Sequence, residues 1–344
     1  MRSLHSFGPE AACPACGGSA LALAVDTERM LALANRARAF HSARLRSRLH
    51  QELDERASFT QGDAAALLRC NECGHLLRWP RPSADSTVLT YANDRYPEDR
   101  LAEMIASQVS LYRRKVPILR RLLANRAPRI VEVGSFVGGF LEVARTVGWS
   151  AVGVDPNPQL AESCRSRGLG VVEGTLEDFA TREGRARYDA LTIWNTFDQL
   201  ADPQAVLATA AELLRPDGML ALRVPHGVAF ETLHAHLEKA RGPGRRFLEA
   251  CLAWNNLLSF PYLHGYGLAS LEAIVAPHGF RRVLRRGDVL GILAGRATRG
   301  FARNEERGVK GIQLAWIRLQ ARDPASLLSA APWLDVYYRR VADA

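Results

Sequence analysis

Short apolar runs and amphipathic stretches alternate through the middle of this chain. Ile130-Val131-Glu132-Val133 is a compact β-rich run behind Pro128. Ser150 to Val154, Gly170 to Glu173, Tyr188 to Trp194 and Met219 to Val224 repeat that character. Between them lie helical patterns beginning at Phe140, over Pro158 to Arg167, and from Pro203 to Leu214. Continuous apolar strands separated by helices predict a doubly wound α/β fold with a parallel sheet. Arg281 to Arg286 and Val289 to Ala294, joined at Gly287-Asp288, predict an antiparallel finish to that sheet.

The flanks read differently. Thr27 to Ala57 has no Gly or Pro and a partial stripe of Leu31, Ala34, Leu45, Leu49 and Leu53, which predicts one long helix. Leu101 to Asn125 is helical in pattern, with a kink or break expected at Pro117. Ala229 to Leu258 is helical and interrupted by Gly242-Pro243-Gly244. Helices are also predicted over Leu268 to Ala276 and Lys310 to Arg322. The block Pro332 to Tyr338 is apolar enough to pack on the core.

The candidate chemistry gathers at two places. The first is the turn after Val133: Gly134-Ser135-Phe136-Val137-Gly138-Gly139 leads directly into a helix. Strand, glycine turn and helix bring a ligand against backbone without a Cβ and against a helix N-terminus. Asp155 ends the next strand about 20 residues on, where such folds place a carboxylate on ribose hydroxyls. A dinucleotide site wants glycine at the position of Phe136, which disfavours a dehydrogenase. Glu132 within the strand suits a cationic amine better than a phosphate.

The second place is a pair of matched cysteine motifs, Cys13-Pro14-Ala15-Cys16-Gly17 and Cys70-Asn71-Glu72-Cys73-Gly74. Without a secretory signal, paired C-x-x-C reads as metal before disulfide. Cys13, Cys16, Cys70 and Cys73 supply the four thiolates of a closed structural zinc site. His75 is a competing donor.

Glu132-Val133-Gly134-Ser135-Phe136-Val137-Gly138 together with Gly153-Val154-Asp155-Pro156-Asn157 resembles the class I S-adenosylmethionine (SAM)-dependent methyltransferases. The downstream block of strand, polar turn, Asp202-Pro203 helix and Pro216-Asp217-Gly218 turn resembles them too. The second cysteine pair, followed by Leu76 to Trp79, Pro80-Arg81-Pro82, Tyr91 and Tyr96, is similar to methyltransferases with an N-terminal zinc-binding domain that act on sugars or natural products. The resemblance implies a seven-stranded Rossmann-like sheet. It also implies SAM held by Glu132, Gly134, Ser135, Phe136, Gly138, Asp155, Pro156 and Asn195, with Thr175 and Leu176 beside the adenine. Tyr91 and Tyr96 become lid residues. Many relatives carry Glu-His where this chain has Asp198-Gln199. The aromatic segment Phe260 to Gly267 then makes His264 the provisional base near the methyl acceptor and His226 the second choice.

The expected organisation is a zinc-binding module over 1–85, linker and lid helices over 86–127, a methyltransferase domain over 128–297 and a C-terminal extension over 298–344. No run nears the roughly 20 apolar residues of a membrane span, and Met1 to Glu10 lacks the apolar core of a secretory signal. A cytoplasmic protein is expected. The formal net charge of +9 keeps RNA-directed methylation open as an alternative, but no interleaved basic and aromatic motif accompanies it. A small-molecule acceptor, free or carrier-linked, is the favoured partner. A non-catalytic SAM-binding or zinc-ribbon interaction protein is the other alternative. The sequence sets no oligomeric state.

Overall fold

The computed structural model describes residues 12–45, 65–257, 263–291, 299–323 and 325–341. The chain packs as two units. One comprises Met1–Arg81, Val224–Ile274 and Arg286–Leu334, the other Pro82–Arg223, Val275–Arg285 and Asp335–Ala344.

In chain order the elements begin with β1 (Leu21–Val25), α1 (Thr27–Ser42), β2 (Ala66–Cys70) and β3 (Leu76–Trp79). Next come α2 (Ala84–Asn93), α3 (Glu98–Leu122), β4 (Arg129–Val133), α4 (Gly139–Thr146), β5 (Ser150–Asp155), α5 (Pro158–Ser166), β6 (Gly170–Glu173) and α6 (Leu176–Ala180). Then follow β7 (Tyr188–Trp194), α7 (Pro203–Leu213), β8 (Leu214–Pro225), α8 (Gly227–Lys239), α9 (Gly242–Ala253) and β9 (His264–Gly265). The chain closes with α10 (Leu268–Val275), β10 (Phe280–Asp288), α11 (Gly300–Gln320) and β11 (Trp333–Arg340).

The first unit is built on a four-stranded sheet of order β1-β2-β3-β9. Its antiparallel core places Leu68 opposite Leu77. Leu67 and Leu76 pack with Val25, Met30, Leu33, Phe230, Leu237 and Leu252 into one apolar cluster. The expected long helix is seen as α1 to Ser42, capped by the Asp26 side chain on Arg29 N–H; positions 46–57 of that expectation lie outside the described residues. The break at Gly242-Pro243-Gly244 is real, and the Gly-Pro-Gly run begins the second helix, with Pro243 in its first turn.

The second unit carries a seven-stranded sheet of order β10-β11-β8-β7-β4-β5-β6. β4, β5, β6, β7 and β8 are parallel, with Ile130 level with both Ala151 and Ala190. Pro158 and Pro203 start their helices behind side-chain caps from Asn157 and Asp202. Tyr112, Phe140, Leu141, Trp194, Met219 and Tyr337 share the main apolar core.

Two expectations change here. α3 runs unbroken through Pro117, because Tyr112, Lys115, Val116 and Leu119 on both sides of it are buried and hold the helix. The final strand is not Val289 to Ala294. Residues 289–291 have no strand geometry, and 292–294 lie outside the described residues. The strand comes from Trp333–Arg340, between β8 and β10. Much of the tail that was expected to pack on the core is therefore sheet. α11 also begins ten residues earlier than expected.

A buried charge cluster fixes β11. Asp335, fully buried, accepts hydrogen bonds from Arg223 Nη1 of β8 at 2.6 Å and from Lys115 Nζ of α3. Replacing Asp335 by Ala leaves two cations buried without their counter-ion. We expect a loss of about 3–5 kcal/mol in stability, read as a lowered midpoint in urea unfolding; an unchanged midpoint would show that the cluster is not what holds the strand.

Candidate functional site

The glycine turn follows the carboxyl end of β4. Gly134 has φ +69° and donates its N–H to Val154 O at 2.8 Å. A Cβ there would lie 2.3 Å from Thr196 Oγ1, so the turn after β7 packs directly onto the glycine turn. Gly138, at φ +70°, caps α4, and a Cβ on it would press on Cys164 Sγ. Phe136 adopts φ +49°, and its N–H points at Asp155 Oδ2, 2.7 Å away. Asn157 N–H meets Asp155 Oδ1 at 3.0 Å. Two backbone donors thus orient the carboxylate and leave lone pairs on both oxygens for a ligand. Burial pushes Asp155 upward, and those two N–H groups pull it back.

Glu132 is buried, and its Oε2 has no hydrogen-bond partner. Burial, and after it the charge of Asp155, drives its carboxyl well above the usual range. Ser135 Oγ is likewise buried without a partner. Unsatisfied buried polar atoms beside a glycine turn mark a place built for a polar ligand.

The segment from α2 into α3 closes on this edge. Asn157 Nδ2 donates to the carbonyls of Tyr91 and Asp94, both at 2.9 Å. Tyr96 exchanges hydrogen bonds with Gln159 through its backbone N–H and C=O, and its ring meets Phe136 edge-on at 5.2 Å. Tyr91 hydroxyl donates to Gln199 Oε1 at 2.5 Å, and Gln199 Nε2 donates to Asn195 O at 2.7 Å. Asn195, at φ +57°, also accepts from Arg223 Nε on its side-chain oxygen. Arginine only donates, so the free end of this carboxamide is its NH2. Thr175 caps α6 in a reciprocal box with Asp178, and the Leu176 side chain is buried. Pro156 is half-buried in the turn after Asp155.

The four cysteines belong to the first unit. Their sulfurs lie within 4.8 Å of one another, with Cys13–Cys73 and Cys16–Cys70 each at 3.6 Å. A tetrahedral ion with metal–sulfur bonds of about 2.3 Å requires sulfurs about 3.8 Å apart, so the donor set fits zinc. The hydrogen bond from Cys73 favours the Cys13 thiolate, lowering it to about 5, and the same bond to Cys13 raises Cys73.

The two histidines singled out in the sequence are also in the first unit. His264 lies on β9, opposite Leu77, and is fully buried. Its Nδ1 is 3.2 Å from His75 Nε2, and both rings contact Tyr266. His226 is buried with Nδ1 on Ala331 O at 3.0 Å, and burial depresses it to about 4. His278 Nε2 sits 2.6 Å from Gln204 Oε1. Positions 260–262 of the aromatic segment lie outside the described residues.

A methyltransferase-domain family model matches residues 106–281, just over half of the chain. The chain belongs to the methyltransferase-domain family. It is 35% identical over 102 residues to the C-methyltransferase NovU of Streptomyces niveus, a match covering 28% of this chain and 24% of that protein. It therefore spans about a quarter of the curated relative's length. Among solved structures, a chain from a complex containing the Haloferax volcanii Trm112 methyltransferase activator aligns at 14% identity and TM-score 0.45, covering 76% of this chain and 99% of that one. A SAM-dependent methyltransferase from Archaeoglobus fulgidus aligns at 12% identity and TM-score 0.40, covering 67% and 94%.

The glycine turn, Asp155 and the unsatisfied Glu132 and Ser135 fit the cofactor of this methyltransferase family. Sequence reasoning missed two features: the buried Lys115–Asp335–Arg223 cluster and the isolation of Asp198. The first had a signal, since Arg223 and Asp335 each stand inside an apolar run. Among the described residues no helix is long and apolar enough to cross a membrane.

Proposed function

We propose that this protein transfers a methyl group from SAM to a small-molecule acceptor of the sugar or natural-product type. The observation that carries the reading is the pairing of Asp155, oriented by two backbone N–H groups, with the unsatisfied Glu132 at the ends of adjacent parallel strands. SAM supplies an electrophilic methyl on a good leaving group, so the protein's task is orientation. Asp155 holds the ribose hydroxyls. Glu132 faces the methionine ammonium, directly or through water. Gly134, Ser135, Phe136 and Gly138 line the approach, with Pro156, Thr175 and Leu176 on the adenine side. Tyr91 and Tyr96 cover the cofactor, and Asn195 presents its NH2. The relative NovU is named as a C-methyltransferase, which supports a carbon acceptor.

The zinc site we propose is structural, because four thiolates leave no open position. The burial of His264 against His75 and Tyr266 supports a role in holding β9 to β3.

Calorimetric titration with SAM and, separately, with NADH tests the reading. Saturable SAM binding without NADH binding is expected. No SAM binding by folded, metal-loaded protein would leave an interaction protein on an α/β scaffold. Tight, salt-dependent RNA binding alongside SAM binding would instead favour the nucleic-acid alternative.

A further inference from the structure

Asp198 occupies the 3-10 turn Phe197–Gln199, just past the carboxyl end of β7. That turn is clamped. Thr196 packs against Gly134, Asn195 is held by Arg223, and Gln199 bridges Tyr91 to the Asn195 carbonyl. Asp198 itself is fully buried, and neither carboxylate oxygen is hydrogen-bonded to another residue. Among the described residues, the other buried aspartates of this unit are satisfied. Asp155 accepts two N–H groups, and Asp335 is paired with Arg223 and Lys115. An isolated buried carboxylate is costly and is normally removed unless it has a task.

We infer that Asp198 is an anion kept for the cationic sulfonium of SAM, so that the protein favours SAM over the neutral product S-adenosylhomocysteine. This rests on the SAM reading above. A charge in a dry site acts over several ångströms without contact. Once the methyl has left, the ligand loses its positive charge and this attraction with it, which favours product release. The methionine ammonium is common to both compounds, so the preference between them isolates the sulfonium.

Burial alone raises Asp198, to about 7. Its own backbone N–H opposes, and among the described residues no charged side chain contributes. The sign follows from linkage. Between the ordinary carboxylate value of about 4 and about 7, the native state keeps a proton that the unfolded chain releases, so stability falls as pH rises through that window. A cation arriving near neutrality drives the proton off.

The test is calorimetry on the full chain with SAM, S-adenosylhomocysteine and sinefungin, which carries an ammonium near the sulfonium position. Titrations run at pH 8 and pH 6, on the native protein and on Asp198→Asn. At pH 8 the native protein should prefer SAM and sinefungin over S-adenosylhomocysteine by about tenfold. The preference should shrink at pH 6. SAM binding near pH 7 should release part of a proton, read from buffers of different ionisation heat. Asp198→Asn should keep its affinity for S-adenosylhomocysteine while losing both the preference and the proton release. An equal weakening of all three ligands in the variant would mark a packing role and overturn the inference. So would a native preference that ignores pH, a measurement that stands even if the variant fails to fold. Failure of the native protein to bind any of the three removes the SAM reading itself, and this inference with it.

Discussion

Asp155→Ala is expected to abolish saturable SAM binding while the protein stays folded. The carboxylate ends β5 and is fixed by Phe136 N–H at 2.7 Å and Asn157 N–H at 3.0 Å. Its remaining lone pairs are what the ribose hydroxyls would meet. Two hydrogen bonds to a charged group contribute about 3 kcal/mol or more together, so affinity should fall by about 100-fold or more. The Phe136 and Asn157 donors lose their acceptor as well, which loosens the turn that shapes the site. The fold should survive, because the apolar core runs through Ile130, Phe140, Trp194 and Tyr337, not through this carboxylate. Calorimetry reads the affinity, and circular dichroism with a thermal melt reads the fold. Near-native affinity in a folded variant would mean that Asp155 only organises its own turn. The pH dependence is a second reading. Burial raises Asp155, so SAM binding should weaken on acidification earlier than an ordinary aspartate would allow.

The central sheet was legible because its strands are short apolar runs bounded by turn residues. β4, β5, β6 and β7 fall where those runs fall. β8 starts earlier than its apolar run, at Leu214, and its pairing with β7 resumes at Met219 after the four residues Arg215 to Gly218 that the sequence reads as a turn. β11 was not legible as sheet. Trp333–Arg340 carries Asp335 among apolar residues, and one buried acid makes no sense in a strand until Lys115 and Arg223, distant in sequence, are brought to it. The glycine turn and the cysteine quartet were legible because their chemistry is written in local spacing. Asp198 was not, because its isolation is a property of what surrounds it. His264 drew attention by its aromatic neighbours; one of them, Tyr266, packs on its ring, but its hydrogen-bonding partner His75 is distant in sequence.

Stripping the proposed zinc should have the second large effect, on stability. Two tight turns, each closed by glycine at positive φ (Gly17 and Gly74), bring four sulfurs within 4.8 Å. β2 ends in Cys70, and β3 begins six residues later at Leu76, so the second knuckle is also the hairpin that joins the strands. Without an ion, four thiols crowd together with only weak hydrogen bonds between them, and any thiolate repels the next. The binding free energy of a structural zinc is folding free energy. The apolar cluster of Leu67, Leu76, Met30 and Phe230 offsets part of the loss, so partial rather than complete unfolding is expected. Purified under reducing conditions, the protein should carry one zinc per chain, and Cys70→Ser should carry far less. A deficit of about 3–4 kcal/mol would lower the melting temperature by roughly 10 °C. Zinc added back to the chelated native protein should restore the melt, but zinc added to the variant should not. A native protein that holds no metal and melts identically with and without chelator would make the four sulfurs a reduced cluster with no ligand, and the N-terminal sheet would then stand on its apolar core alone.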